Sequence, residues 1–548
     1  MKKLYLFLET IYHVKLTQIF NRVYRKFRRI YFKSPPSNPI FFNYNLFFRC
    51  ELLENKFVDD NTVSLLNEKG ELLNWQNKDK TLLWLYNLHY FDYLNTKRAS
   101  SHINLHKIVI NNWISTNPFN QGVGWEPYPL SLRIVNWIKY HWTLNKLSKH
   151  ALESLWLQTH VLKQKLEFHL LGNHIFANAK ALIFAGCFFE CEDSKKWFKT
   201  GLKILNSELT EQVLEDGGNF ELSPMYHNII LADLLDLYNL ANSSKRSELL
   251  AEAENWESII KKMLLWSKDL SHPDGKLSFF NDSAFGIAAD FEELSEYARK
   301  LGISITDLEN RCLQTNVERE LIHYERSGYI IVNDKKQKTI IDVACVGPDY
   351  IPGHAHADTL SFEMSIGTHR LFVNSGTSVY GTTNERLRQR KTASHNTLTI
   401  DGNDSSEVWS GFRVAKRAYP LLKKVEQTKS TIEIICAHDG FTRLSGSPIH
   451  QRSWLFTDEG LEIKDEISPH KSRGVSHFHL HPSIKAESLT NNEVRLTLPN
   501  NDKIMFTSIG TIEVLPSSWH PEFGTSIPNI KLNCNLINNS NIISIRFG

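Results

Sequence analysis

The stretch Gly353-His-Ala-His-Ala-Asp358 sets His354 and His356 two residues apart. Residues at that spacing in an extended segment point to the same side, and imidazole both titrates near neutrality and ligates metals. The pair therefore suits proton transfer or metal ligation. Leu360, Phe362 and Met364 then alternate with polar neighbours, as in a half-buried strand. Pro352-Gly353 predict a turn that puts both imidazoles at a strand mouth, facing one cleft. Earlier in the chain, Gly172-Asn-His-Ile places Asn173 and His174 at a helix start, where Asn173 also reads as an N-cap. The segment from Asp216 to His227 holds Glu221, Tyr226 and His227 around a constrained loop, with a buried core phenol as the other reading of Tyr226. Trp125-Glu-Pro-Tyr-Pro-Leu-Ser-Leu-Arg133 enters a helix through two prolines, so that Trp125, Tyr128 and Arg133 become candidate groove residues. Asn281-Asp-Ser283 reads as a turn near the cleft.

The elements that must carry these groups change style along the chain. From about residue 80 to 315 apolar residues recur at three- and four-residue spacing, notably over Ser131–Tyr140, Leu152–Leu170, Ile175–Phe189, Ile229–Leu240 and Glu248–Leu265. Beyond residue 320 come short β-like runs such as Tyr329–Val332, Thr339–Val343, Leu360–Ile366 and Thr397–Ile400, punctuated by Gly, Asn, Asp and Pro. Helices followed by strands without alternation mean separate α and β domains, and a cleft between them is the expected ligand site.

At 548 residues the chain is long enough for two large cores. Lys plus Arg number 63 against 60 Asp plus Glu, a balance that argues against nucleic acid as partner. The seven cysteines are scattered and odd in number, with no disulfide framework or metal knuckle; they fit a reducing compartment. Met1-Lys-Lys-Leu-Tyr-Leu-Phe-Leu begins like a signal peptide, but Glu9 interrupts it and no cleavage site follows. The next residues, from Lys15 to Lys33, mix basic and apolar side chains and predict a basic amphipathic helix able to lie on an anionic membrane. A solvated helix packed on its own protein is the alternative. Residues 34 to 75, opening with Ser34-Pro-Pro-Ser-Asn-Pro39, read as an irregular connector.

Asn173-His174, the Asp216 to His227 segment, Gly353 to Asp358, Ser394-His-Asn-Thr-Leu398 and Phe478-His-Leu-His-Pro482, in this order, resemble the heparinase II/III-like polysaccharide lyases and their alginate-lyase relatives. The resemblance runs from about Trp125 to His481. It implies an N-terminal (α/α) toroid followed by a C-terminal antiparallel β-sandwich: residues 1–75 as helix and connector, 76–318 as toroid, 319–548 as sandwich. It also implies β-elimination at a uronic-acid residue of an acidic polysaccharide. Asn173 and His174 would neutralise the sugar carboxylate, with His174 also a candidate base. Tyr226 would be the acid, or both acid and base, and His354 would assist from the sandwich side. Glu221, His227, Arg386 and Arg390 join Trp125, Tyr128 and Arg133 as candidate substrate contacts.

No cofactor is needed for such chemistry. Several relatives hold a structural zinc, and the matching positions are His356, Asn374 and His395. Asn374 stands where an Asp is expected, so a weakened site, a substitute ligand such as Asp358, or a metal-free histidine cluster all follow. The expected location is the cytoplasm or the inner-membrane face, linked to making a surface polysaccharide, with the periplasm as the alternative. A glycoside hydrolase, using carboxylates such as Glu126, Asp216 and Glu221, and a non-catalytic glycan-binding protein remain the competing functions.

Overall fold

The computed structural model describes residues 2–44, 46–305, 319–469 and 472–547; Cys312 lies outside them. Helices run as α1 (Lys2–Tyr12), α2 (Leu16–Phe27), α3 (Leu82–Tyr90), α4 (Ile103–Thr116), α5 (Pro127–Thr143), α6 (Lys149–Gln164), α7 (Gly172–Phe188), α8 (Glu192–Gln212), α9 (Pro224–Ser244), α10 (Ser247–Asp269) and α11 (Phe291–Lys300). A short α12 (Asn384–Arg390) sits among the strands. Helices α3 to α11 form the toroid around one apolar core, in which Trp113, Trp137, Trp156 and Trp256 are enclosed.

The connector is not irregular throughout. Thr62–Leu65 and Glu68–Glu71 pair as an antiparallel hairpin, and Phe47, Phe57, Val63, Leu72 and Trp75 pack into the toroid core. The apolar spacing that predicts helix through Leu170 outlasts the helix itself. Helix α6 stops at Gln164, and residues 165–170 form a turn that carries Lys165, Glu167 and His169 toward the cleft.

From Arg319 onward the chain builds antiparallel sheets of five, eight and four strands. The five-stranded sheet runs in chain order from Arg319–Tyr324 to His369–Phe372 and lies against the toroid. Its strand Phe362–Ile366 alternates as expected, with Phe362 and Met364 in the sandwich core. The opposite face does not meet water. Glu363 and Ser365 point into the helical half, where His272 lies 2.9 Å from Glu363 Oε2 and 2.7 Å from Ser365 Oγ. The sheet is the seam between the halves, so polar residues on its outer face are buried and must be paired. Leu222, Trp266, Leu270 and Phe280 of the helical half close the seam against Tyr324, Tyr329, Ile331 and Ile340.

Helices α1 and α2 replace the single basic helix predicted over Lys15–Lys33, and α2 is turned inside out. Gln18 is 2% exposed and reaches the carbonyls of Leu170 and Tyr350, one from each half. Its apolar residues face away: Leu16, Phe20 and Phe27 are 82%, 68% and 80% exposed. Helix α1 leans on the sandwich, where Thr10 donates to the Val414 carbonyl and accepts from the Trp409 indole.

Candidate active site

Asn173 and His174 occupy the first turn of α7, whose unpaired N–H groups make a favourable place for an anion. The turn into the helix is tight. Gly172 has φ +56°, and a Cβ there would come within 2.8 Å of Ile351 and 3.1 Å of Glu221. Only glycine accepts both conditions. The Asn173 amide lies 3.5 Å from the Tyr128 hydroxyl, and the Tyr128 ring sits 4.6 Å from the His174 ring. Behind His174, Glu167 approaches Nδ1 at 3.2 Å and is itself fixed by Asn178. Burial works against charge on His174, but Glu167 and then Glu221 outweigh it, and its pKa is raised. An imidazole inclined to stay protonated is suited to binding a carboxylate and less suited to removing a proton.

Tyr226 enters on the first turn of α9, which Ser223 caps by accepting from the Tyr226 N–H and Pro224 starts at its first position. The phenol is buried, stacks on the His354 ring at 3.8 Å and shares a 3.0 Å hydrogen bond with Tyr380. Burial, followed by Tyr380, raises its pKa well above that of free tyrosine, so it is held as a proton donor.

His354 and His356 do point to a common partner, but that partner is a carboxylate the sequence left without a role. Asp282 Oδ2 accepts from His354 Nδ1 at 3.0 Å, and Oδ1 accepts from His356 Nε2 at 2.8 Å. Arg386 forks onto the same carboxylate, with Nη2 2.7 Å from Oδ2, and Thr377 adds a bond at 3.2 Å. Arg386 and the two histidines outweigh burial and hold the Asp282 carboxyl well below the usual range. The turn is pinned as well: Asp282 N–H donates to the His354 carbonyl, and Asn281 links Leu222, His356 and Asp358. With Nδ1–H committed to Asp282, His354 presents Nε2 to the cleft. His356 instead is 1% exposed and lies behind the cleft.

Glu221 lies between the two histidine systems, its Oε2 without a hydrogen bond and 3.7 Å from His354 Nε2. Burial raises its pKa, against the pull of His354 and His174. A protonated Glu221 can donate to a substrate carboxylate, whereas an ionised one repels it. For any carboxylate-bearing ligand turned over here, KM should therefore climb as pH rises through the Glu221 pKa, and Glu221→Gln should flatten that climb. KM measured across pH for both proteins checks this; an equal climb in the variant would acquit Glu221.

Several predicted substrate contacts are framework instead. Arg133 is enclosed over the Trp113 ring, with its guanidinium bonded to Gln158 and to the His89 and Gly124 carbonyls. Trp125 packs in the toroid core against Trp113 and Phe119. His227 is fully buried, stacked on Trp266 and bonded to Met263 O and Asn219 N. Arg390 serves the Ala355 and Ser410 carbonyls, and Arg386 is spent on Asp282. Each charge or ring is satisfied by groups distant in sequence, so its type alone suggests a ligand role that its surroundings deny. The missed residues are Asp282, Tyr380 and Glu167. For Asp282 a signal existed: a polar turn set inside the apolar run Phe279-Phe280 and Ala284-Phe285 is a turn about to be buried.

The second imidazole cluster has an unusual hydrogen-bond balance. His395 Nδ1 lies 2.9 Å from the Lys391 carbonyl and must donate, leaving a lone pair on Nε2. His356 donates from Nε2 to Asp282, leaving a lone pair on Nδ1. Those two nitrogens face each other at 3.0 Å, an arrangement that needs a proton or a cation between them. Asp358 completes the group: among the described residues, His356, Asp358 and His395 bring ligand atoms within 4.8 Å of one another. The Asn374 amide oxygen, the third position the resemblance implies, accepts from Asn396 N–H at 3.1 Å.

A toroid sealed onto an antiparallel sandwich, with amide, imidazole and phenol gathered at the seam, is a two-domain architecture whose candidate site lies where the halves meet. Residues 50–300 match the heparinase II/III N-terminus and residues 316–538 match the heparinase II/III-like C-terminal domain, and the chain belongs to the heparinase II/III-like family. It is 24% identical over 346 residues to a heparin-sulfate lyase of Bacteroides stercoris, covering 60% of this chain and 48% of that protein. To a heparin-sulfate lyase of Pedobacter heparinus it is 26% identical over 390 residues, covering 66% and 53%. The alignments thus span about half the length of these curated relatives. The crystal structure of a heparinase III superposes with TM-score 0.67 at 17% identity, over 87% of this chain and 79% of that one, which shows the shared fold.

Proposed function

We propose that this chain cleaves a uronic-acid-containing polysaccharide by β-elimination. The observation that carries the reading is the pairing across the seam of a protonated phenol, Tyr226, with an imidazole, His354, whose outer nitrogen is left free by Asp282. The sugar carboxylate lies at the N-terminus of α7, where the Asn173 amide and His174 donate to it and stabilise the enolate that develops. His354 Nε2 takes the proton from the carbon beside the carboxylate. The electron pair forms the new carbon–carbon double bond, the bond to the glycosidic oxygen breaks, and Tyr226 gives that oxygen its proton. The relatives named heparin-sulfate lyase support an acidic glycan as substrate. Ultraviolet absorbance during digestion of acidic polysaccharides tests the reading: an unsaturated product is expected, and new reducing ends without absorbance would refute it.

Of the three carboxylates a hydrolase could use, Glu221 stands in the site and the other two are engaged elsewhere. Glu126 is bound by Tyr86, and Asp216 accepts from Gly218, Arg326 and Ser327 in a closed turn. A purely binding role leaves the Tyr226–His354–Asp282 relay without purpose.

The facing lone pairs of His356 and His395 with Asp358 fit zinc, whose nitrogen and carboxylate ligands they supply. Bound there, zinc would tie the Gly353–Asp358 loop to the segment after α12 and keep His356, and through Asp282 the outer imidazole, in place. Stoichiometric zinc should survive dialysis and its removal by chelator should lower the melting temperature. His395→Ala should abolish both effects; a metal-free protein whose melting is indifferent to chelator and to His395 would exclude the site.

The outward apolar faces of α1 and α2, flanked by Lys3, Arg22, Lys26 and Arg29, suit an anionic bilayer surface. No described helix is long and apolar enough to cross one. Flotation with phosphatidylglycerol vesicles should recover the protein, and Phe20→Ser with Phe27→Ser should prevent it; equal recovery of both would remove the membrane from the account.

A further inference from the structure

The inward face of α2 is as unusual as its outward one. Asn21, Arg25 and Arg28 line a cavity of about 210 Å³ whose opposite wall is Glu126, Lys165 and His169 of the toroid. Arg25 Nη1 donates to His169 Nε2 at 2.7 Å. The imidazole is kept neutral, its pKa lowered to about 4 by burial and by Arg25. Lys165 reaches the Trp125 carbonyl at 3.0 Å, and burial with Arg25 nearby lowers its pKa to about 8. Glu126, the one acid lining the cavity, accepts from Tyr86 through one oxygen and offsets only one of the three cations. Arg28 Nη2 is enclosed and has no hydrogen-bond partner. A shielded guanidinium nitrogen without an acceptor, beside two further cations, is a costly arrangement unless an anion completes it.

The position of the cavity says which anion. Glu126 and Pro127 lead directly into Tyr128, which touches His174 and Asn173, and Lys165 and His169 flank Glu167, the partner of His174. These two short segments thus line the cavity and also carry the residues that touch the first turn of α7. We propose that the cavity between α2 and the toroid is an anion subsite, in which Arg25, Arg28 and Lys165 take a sulfate or carboxylate of the same glycan chain beyond the sugar being cleaved. A planar fork such as Arg28 offers two parallel donors to either oxyanion. A lipid phosphate shares this chemistry, but a bilayer meets the opposite face of α2, where Phe20 and Phe27 project. Helices α1 and α2 precede residue 50, where the family match begins. The proposal rests on the glycan-lyase reading for its ligand, though not for the existence of an anion site.

The test uses the full chain, the double variant Arg25→Gln/Arg28→Gln, and Asn21→Glu, which puts a carboxylate into the cavity. On a long acidic glycan both variants should raise KM about tenfold, the loss of one or two charge-assisted hydrogen bonds, with kcat within about twofold of the parent. Independently of turnover, inorganic sulfate should raise the melting temperature of the parent and leave both variants unmoved. If the double variant does not fold, Asn21→Glu decides alone. KM and sulfate response both unchanged would overturn the subsite. So would loss of binding to phosphatidylglycerol vesicles with KM unchanged, which would assign the basic cluster to lipid. If no acidic glycan is cleaved but sulfate still distinguishes parent from variants, the anion site stands and the lyase reading falls.

Discussion

Tyr226→Phe should lower kcat about a thousandfold on any glycan the protein cleaves, while leaving the affinity for that glycan within a few fold. The substitution removes a single oxygen. Packing is kept, because the ring still stacks on His354 and its surroundings are those of the apolar cluster formed with Met225, Ala284 and Phe523. What is lost is the proton for the departing oxygen, which burial and Tyr380 hold on the phenol in the resting protein. Tyr380 also keeps its proton, its pKa raised well above normal by burial and then Asp282, but its hydroxyl lies 3.0 Å from the position the lost oxygen leaves. Single-turnover ultraviolet traces together with binding to the variant separate the two quantities. Equal loss of rate and affinity would mean that the hydroxyl positions the substrate and does not protonate it.

Asp282→Asn should be damaging in two ways at once. An amide cannot accept from Arg386, His354, His356 and Thr377 together, and its own N–H₂ must face a donor. Arg386 is then a buried cation without its counter-charge, a defect that costs about 3–5 kcal/mol. Activity should fall further than stability explains, by roughly a hundredfold or more in molecules still folded, because His354 loses the bond that fixes its tautomer. Thermal melting and kcat per folded molecule check the two parts. A variant that melts normally would show that Arg386 finds another partner. One that melts early but turns over normally would remove Asp282 from the support of the base.

The broad organisation was legible because hydrophobic period is a local property. Three- and four-residue spacing before residue 300 and two-residue alternation after 320 follow directly from which side chains face a core. Asn173-His174 was placed at a helix start by the glycine before it, and the structure gives the physical reason in the space Gly172 leaves for Ile351 and Glu221. Legibility stopped where a residue's meaning depends on distant partners. Arg133, His227, Arg386 and Arg390 have the chemistry of ligand contacts and the surroundings of struts. Asp282 has the sequence context of a turn, yet its partners stand 72 to 104 residues away. The same limit applied to α2: an amphipathic pattern locates two faces but does not say which one is turned inward, and here it is the polar one.

The seam has a bearing on how such a protein can change. The proton donor and the amide grow from the helical half, the imidazole from the sandwich half, and a carboxylate of the first grips the second. A swap of one half would keep the joint only where the incoming half supplies the matching carboxylate or imidazoles. The N-terminal strap is tied in differently, through Gln18 to Leu170 and Tyr350 and through Arg25 to His169. Those contacts reach both halves without touching Asp282, so a substitution in the strap leaves the joint's own hydrogen bonds intact.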